Sequence, residues 1–196
     1  MRAAVLVPVK AFSRAKLRLA PALDGPARAH LARSMAAHVV AAAAPLPVSV
    51  VCDDPEVAAW ASTQGATVVW TPARGLDGAV ADGVVRLSGL GFERVVVAHA
   101  DLPLARSLAD LAPGTGVTLV PDRRDDGTNV VVVPAAASFR FAYGPGSFGR
   151  HRHQAQRLGL SLTVVRTPEL AWDVDVPADL LLPHAPAPQA PVMPCR

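Results

Sequence analysis

The chain has no apolar run near the roughly 18 residues that a membrane-spanning helix needs. Its opening stretch, MRAAVLVPVKAF, is interrupted by Pro8 and Lys10 and is too short to form the core of a signal peptide. A cytoplasmic, unprocessed protein with no membrane partner is the expectation. Cysteine is nearly missing. Cys52 falls in an expected strand and Cys195 in the tail, which suggests neither a disulfide framework nor a metal cluster. Two glycine-rich phosphate signatures are absent as well. No G-x-G-x-x-G follows the first apolar run, which argues against a dinucleotide dehydrogenase. No G-x-x-x-x-G-K-[ST] occurs, which excludes a P-loop NTPase.

Dense runs of basic residues are also lacking. The sequence pI is about 9.4, yet the formal net charge is only +3, and no nucleic-acid recognition motif accompanies it. A protein that handles small polyanions has the same profile, so no nucleic-acid partner is expected. Lysine is the scarcest cation: of 19 Lys and Arg, only Lys10 and Lys16 are lysines. Both lie in VKAFSRAKLRL. Chance is one explanation. The other is that a compact ammonium is wanted there, against phosphate, where the arginine fork does not substitute.

What the chain does have is 196 residues that are 51% hydrophobic, enough for one domain with a real core. Apolar runs predict strands over Ala3–Val9, Val48–Cys52, Thr67–Trp70, Val95–Ala98, Val117–Val120, Asn129–Val133 and Ser161–Val165. Between them, helices are expected over Ala27–Ala44, ended by Pro45, and from Asp54 to about Gln64, where Asp54 caps and Pro55 takes the first position. Further helices are expected over Leu76–Leu90, despite Gly78 and Gly83, over Leu104–Leu111, over Gly146–Leu158 and near Pro177. The Pro/Ala-rich tail, 183–196, reads as disordered, leaving 1–182 as one domain. Strands and helices alternate through the first 112 residues, which implies a mainly parallel sheet with helices on both faces.

In such sheets ligands bind outside the carboxyl ends of the strands. Asp101 follows the strand in ERVVVAHADLPLA and falls there; it could equally cap a helix from Leu104 onward. Asp173 and Asp175 flank Val174 in AWDVDVPADL and would point the same way in an extended segment, although Asp175 could simply cap the helix at Pro177. Asp101 and Asp175 together could hold one Mg²⁺, which favours one or two carboxylates plus phosphate oxygens and waters. The loop after the first strand carries Lys10, Arg14, Lys16 and Arg18 and could cradle a triphosphate.

LVPVKAFSRAKLRLA, HADLPL, PDRRDDGTNVVVV, FRFAYGPGSFGRHR and WDVDVPADL occur in this order. Together, over about residues 1–182, they resemble the guanylyltransferases of coenzyme F-420 biosynthesis. The resemblance implies a single-domain, Rossmann-like GT-A nucleotidyltransferase fold. It also implies condensation of GTP with a small phosphorylated three-carbon acid, with Mg²⁺ and release of pyrophosphate. Phosphoenolpyruvate is the expected acid, with 2-phospho-L-lactate or 3-phosphoglycerate as variants, and a downstream transferase would take the product. By this resemblance Asp101 and Asp175 bind the metal, Lys16 acts with Asp101 in catalysis, and Lys10, Lys16 and Arg18 face the nucleotide phosphates. Thr128, Gly144 and Ser147 receive the acid, although each could serve only a strand start, a turn and a helix cap. GLDGAV departs from the family in placing Asp77 where an Asn is expected. The alternatives are a transferase of the same fold acting on molybdopterin or a sugar phosphate, and a non-catalytic nucleotide-binding protein.

Overall fold

The computed structural model describes residues 1–181. Seven strands form one sheet: β1 (Ala3–Pro8), β2 (Val48–Cys52), β3 (Thr67–Trp70), β4 (Arg94–Ala98), β5 (Val117–Pro121), β6 (Thr128–Pro134) and β7 (Leu162–Val164). Their order is β3-β2-β1-β4-β6-β5-β7. The sheet is parallel except at β6, which runs antiparallel to both β4 and β5.

Strand residues alternate between two cores, as a period of two requires. Val5, Val7, Val96, Ala98, Val130 and Val132 face one core, shared with α1 (Gly25–Ala41) and α2 (Pro55–Thr63). Ala4, Leu6, Val95, Val97, Val131 and Val133 face the other, shared with α3 (Gly75–Gly89) and α4 (Ser147–Arg157). The helices therefore cover both faces, as expected. Gly83 in α3 is required by close packing: a Cβ there would stand 2.6 Å from Leu6 Cδ2 on β1. Asp54 caps α2 through hydrogen bonds from the Glu56 and Val57 backbone N–H groups.

Two expected helices differ. Over Leu104–Leu111 only a 3₁₀ turn forms, at Ala109–Leu111. Leu102, Ala105 and Leu108 are all drawn into the core, and the Leu108 N–H donates to Ala42 O at 2.9 Å, not to its own preceding turn. Asp101 therefore caps no helix. At Pro177 the chain forms a 3₁₀ turn, Pro177–Leu180, and Asp179, not Asp175, caps it. A short helix α5 (Pro168–Ala171) went unforeseen. The tail expected to be disordered, 183–196, lies outside the described residues. Among the described residues no helix is long and apolar enough to cross a membrane.

The basic loop after β1 is anchored between Lys10 and its other cations, Arg14, Lys16 and Arg18. Phe12 is 1% exposed, its ring meets Trp60 edge-on at 5.3 Å, and Arg33 lies over it at 4.9 Å. This buried aromatic fixes where the following residues emerge. Phe12→Ala is expected to cost about 3–5 kcal/mol of stability, measured by denaturant unfolding. A cost below about 1 kcal/mol would show that the loop is held by something else.

Candidate active site

β1 and β4 end at the same edge of the sheet, and β6 begins there because it runs the other way. The His99 N–H donates to Asn129 O at 3.0 Å, which sets the start of β6 beside the end of β4. A cleft of about 600 Å³ opens over this edge, lined among others by Lys10, Lys16, His99, Asp101, Tyr143, Gly144, Asp173 and Asp175. Its size is that of a small-molecule site.

Lys16 is the centre of its charge. The Lys16 ammonium bonds Asp101 Oδ2 and, at 3.1 Å, Asp175 Oδ1. Three segments far apart in the chain therefore meet at one nitrogen. Its backbone is left-handed, φ +53°, a conformation costing a non-glycine residue about 1–2 kcal/mol. The ion pairs hold it there. Burial alone would pull the ammonium down, but Asp101 and then Asp175 outweigh it and raise its pKa above the ordinary lysine value. Burial likewise works to raise Asp101, yet the Lys16 charge keeps that carboxylate below its usual range. Asp101 Oδ1 is nevertheless buried without a hydrogen-bond partner.

Asp175 is placed by a clamp under the same loop. The Val174 N–H donates to Asp101 O at 3.2 Å. Asp179 is 1% exposed, and its Oδ2 accepts from the Asp175 and Val176 N–H groups at 2.8 and 2.9 Å. Arg123 grips the other side of Asp179, reaches Asp173 Oδ1 at 3.4 Å and lies 4.4 Å over the Trp172 ring. Asp173 therefore pairs with Arg123, away from Lys16. Burial, then Asp101 and Asp175, push its pKa up to about 6.

The other expected residues are distributed unevenly. Lys10 is exposed on the cleft wall, and Arg18 reaches Asp175 Oδ2 only at 3.8 Å from an exposed position. Gly144 lines the cleft and has φ +96°, so a turn that favours glycine is required there. Thr128 and Ser147, in contrast, are 2% and 1% exposed and do not line the cleft; they lie close in the chain to the lining residues Asn129 and Pro145. Their hydroxyls lie 3.4 Å apart, and Thr128 Oγ1 lies 3.0 Å from His151 Nδ1. His151 Nε2 accepts from the Ala142 N–H at 3.0 Å. Burial, then Arg150 and His99, lower the His151 pKa to about 4.

Several contributors were not picked out from the sequence. His99 packs against Tyr143 with the rings tilted and their centroids 4.9 Å apart, and His99 Nε2 and the Tyr143 hydroxyl are both buried without partners among the described residues. Asp77, the departure in GLDGAV, accepts from the Tyr143 N–H at 2.8 Å and so ties α3 to the Gly144 turn. Asp126 accepts from the Gly146 N–H at 3.0 Å. Only the position of Asp77 carried a signal beforehand, through its mismatch.

A family model described as "Guanylyl transferase CofC like" matches residues 3–183. The chain belongs to the CofC-like guanylyl transferase family. Within it, the chain is 36% identical over 197 residues to the phosphoenolpyruvate guanylyltransferase of Sphaerobacter thermophilus, covering 95% of each. It is 32% identical to the 2-phospho-L-lactate guanylyltransferase of Methanothermobacter thermautotrophicus, covering 92% of this chain and 83% of that one. A solved nucleotidyl transferase from Methanothermobacter thermautotrophicus superposes with a TM-score of 0.63 at 20% identity, covering 92% of this CofC-like chain and 94% of the other. The nucleotidyltransferase fold expected from the sequence is thus the fold observed.

Asp179→Ala is expected to cost about 3–5 kcal/mol, because Arg123 loses its buried partner, and to lower turnover by releasing Asp175. Unfolding measurements and steady-state kinetics check the two effects. Full turnover in a folded Asp179→Ala protein would show that Asp175 does not depend on the clamp.

Proposed function

We propose that the protein transfers the guanylyl group of GTP to the phosphate of a three-carbon acid, phosphoenolpyruvate in first place, as a step of coenzyme F-420 biosynthesis. A phosphate oxygen of the acid attacks the α-phosphorus of GTP. The bond to the β-phosphate oxygen breaks, and pyrophosphate leaves with the electron pair. The observation that carries this reading is the convergence of Lys16, Asp101 and Asp175 at the mouth of the cleft. The activities of the family relatives support the substrates, and 36% identity to the Sphaerobacter phosphoenolpyruvate enzyme against 32% to the phospholactate enzyme favours that acid.

The carboxylates fit a divalent cation. Asp101 Oδ1 has no partner, and Asp175 is half-exposed on the cleft side of Lys16. Among the described residues no third His, Cys, Asp or Glu completes a closed metal cluster, which suits Mg²⁺, since it takes one or two carboxylates and fills its remaining positions with phosphate oxygens and water. Bound there, Mg²⁺ would supply positive charge to the α-phosphoryl and pyrophosphate oxygens. The protein's own contribution is positioning and electrostatics, as phosphoryl chemistry of this kind demands. Lys16, with Lys10 and Arg18, neutralises the polyphosphate. Thr128, Gly144 and Ser147 offer short, rigid donors for the acid, with the Ser147 N–H tied to Gly144 O at 3.0 Å.

Phosphoenolpyruvate and 2-phospho-L-lactate differ little in polar groups, so the preference between them should be about 1–3 kcal/mol. Mass spectrometry of products from GTP, Mg²⁺ and a panel of phospho-acids is expected to show the guanylylated phosphoenolpyruvate first and less of the lactate product. Asp101→Ala and Asp175→Ala should each lower turnover at least ~100-fold. Pyrophosphate release with a pterin or a sugar phosphate, and with none of the three acids, would overturn the reading.

A further inference from the structure

The Thr128 and Ser147 hydroxyls are closed in, and that makes their protons countable. His151 is fully buried. One of its nitrogens, Nε2, faces a backbone donor, the Ala142 N–H at 3.0 Å. An amide N–H cannot accept a hydrogen bond, so Nε2 must be the bare nitrogen of the ring. In a neutral imidazole the proton then sits on Nδ1, which donates to Thr128 Oγ1 at 3.0 Å. The low pKa caused by burial keeps the ring in this neutral form.

The two hydroxyls bring two protons. Only one can lie in the 3.4 Å gap between their oxygens. With His151 already donating to the pair, the second proton has no acceptor among the described residues and is left to be given away. This holds whichever way the two hydroxyls rotate. With the opposite tautomer Thr128 would donate to Nδ1 and Ser147 to Thr128, and no proton would remain. A carboxylate or phosphate only accepts, so the first arrangement receives an anion and the second repels it.

We infer that His151 is a positioning residue for the acid substrate: held by the Ala142 N–H in its Nδ1–H tautomer, it turns the Thr128–Ser147 hydroxyl pair into an obligate donor for the substrate's carboxylate or phosphate. This rests on the reading that Thr128 and Ser147 receive the acid. Part of the positioning chain runs back to the cleft, since Ala142 precedes Tyr143 and Gly144 on the turn that Asp77 ties down. His151 itself touches no substrate.

Three variants and one spectrum test it on the full chain. His151→Gln keeps an oxygen to accept from Ala142 and loses the donor to Thr128; His151→Asn keeps an amide N–H near the place of Nδ1. With GTP, Mg²⁺ and phosphoenolpyruvate, His151→Gln is expected to raise the KM for the acid about tenfold, with the KM for GTP within twofold of the wild type. His151→Asn should recover most of that loss. Equal behaviour of the two variants, or an unchanged acid KM in His151→Gln, overturns the inference. Thr128→Val separates the two levels: if it leaves the acid KM unchanged, the assignment of the acid site has failed and the inference falls with it. If it raises the acid KM while His151→Gln does not, only the role of His151 has failed. Nitrogen-15 chemical shifts of the imidazole in the wild-type protein need no variant. They should report Nδ1–H, and an Nε2–H ring overturns the inference even if every variant unfolds.

Discussion

One ammonium holds the cleft together. Lys16 is bonded to Asp101 after β4 and to Asp175 before the last turn, and its own left-handed backbone is maintained by those bonds. Two carboxylates facing each other at a partly buried site would repel. The cation between them makes their proximity tolerable, and breaking such a pair from one side costs about 3–5 kcal/mol. The same proximity places two carboxylates and one ammonium at a single point on the cleft wall. The clamp of Arg123 on Asp179 exists to hold this arrangement from below, since it fixes the backbone N–H of Asp175 itself.

The reversed strand is the second constraint. With β6 antiparallel to β4, Ala98 pairs with Val130, and the beginning of β6 arrives where β4 ends. That brings Thr128 to the edge that carries Asp101, with α4 starting at Ser147 beside it. The cations therefore come from the loop after β1, the carboxylates from the end of β4 and the C-terminal turn, and the buried hydroxyls from β6 and α4. Each group is delivered by a different segment anchored to one sheet, the kind of support that holds a site's geometry.

Much of this was legible from residue order. The alternation of apolar runs with helical stretches foretold the doubly covered sheet, because strands buried on both faces must read as continuous Val-rich segments. Asp101 and Asp175 were legible from their places after a strand and before a Pro-marked turn. The direction of β6 was not, since a buried strand looks the same read toward either neighbour. The expected helix over Leu104–Leu111 failed because its leucines were claimed by the core and its Leu108 N–H by Ala42. Asp179 was passed over for Asp175 as the capping residue because both precede or follow Pro177 at short range and only the fold decides between them. His151 was hidden among Arg150, Arg152 and His153 on a helix whose composition reads as a solvated surface; only its burial singles it out.

The central claim is that Lys16 is what allows Asp101 and Asp175 to stand together. A double-mutant cycle on stability, run in the presence of a chelator, tests it without any reaction. Lys16→Met leaves the two carboxylates facing each other and should destabilise the protein. Adding Asp101→Asn should then restore at least about 1 kcal/mol, a coupling of the size seen between residues in direct contact. Additive losses from the two substitutions would contradict the account.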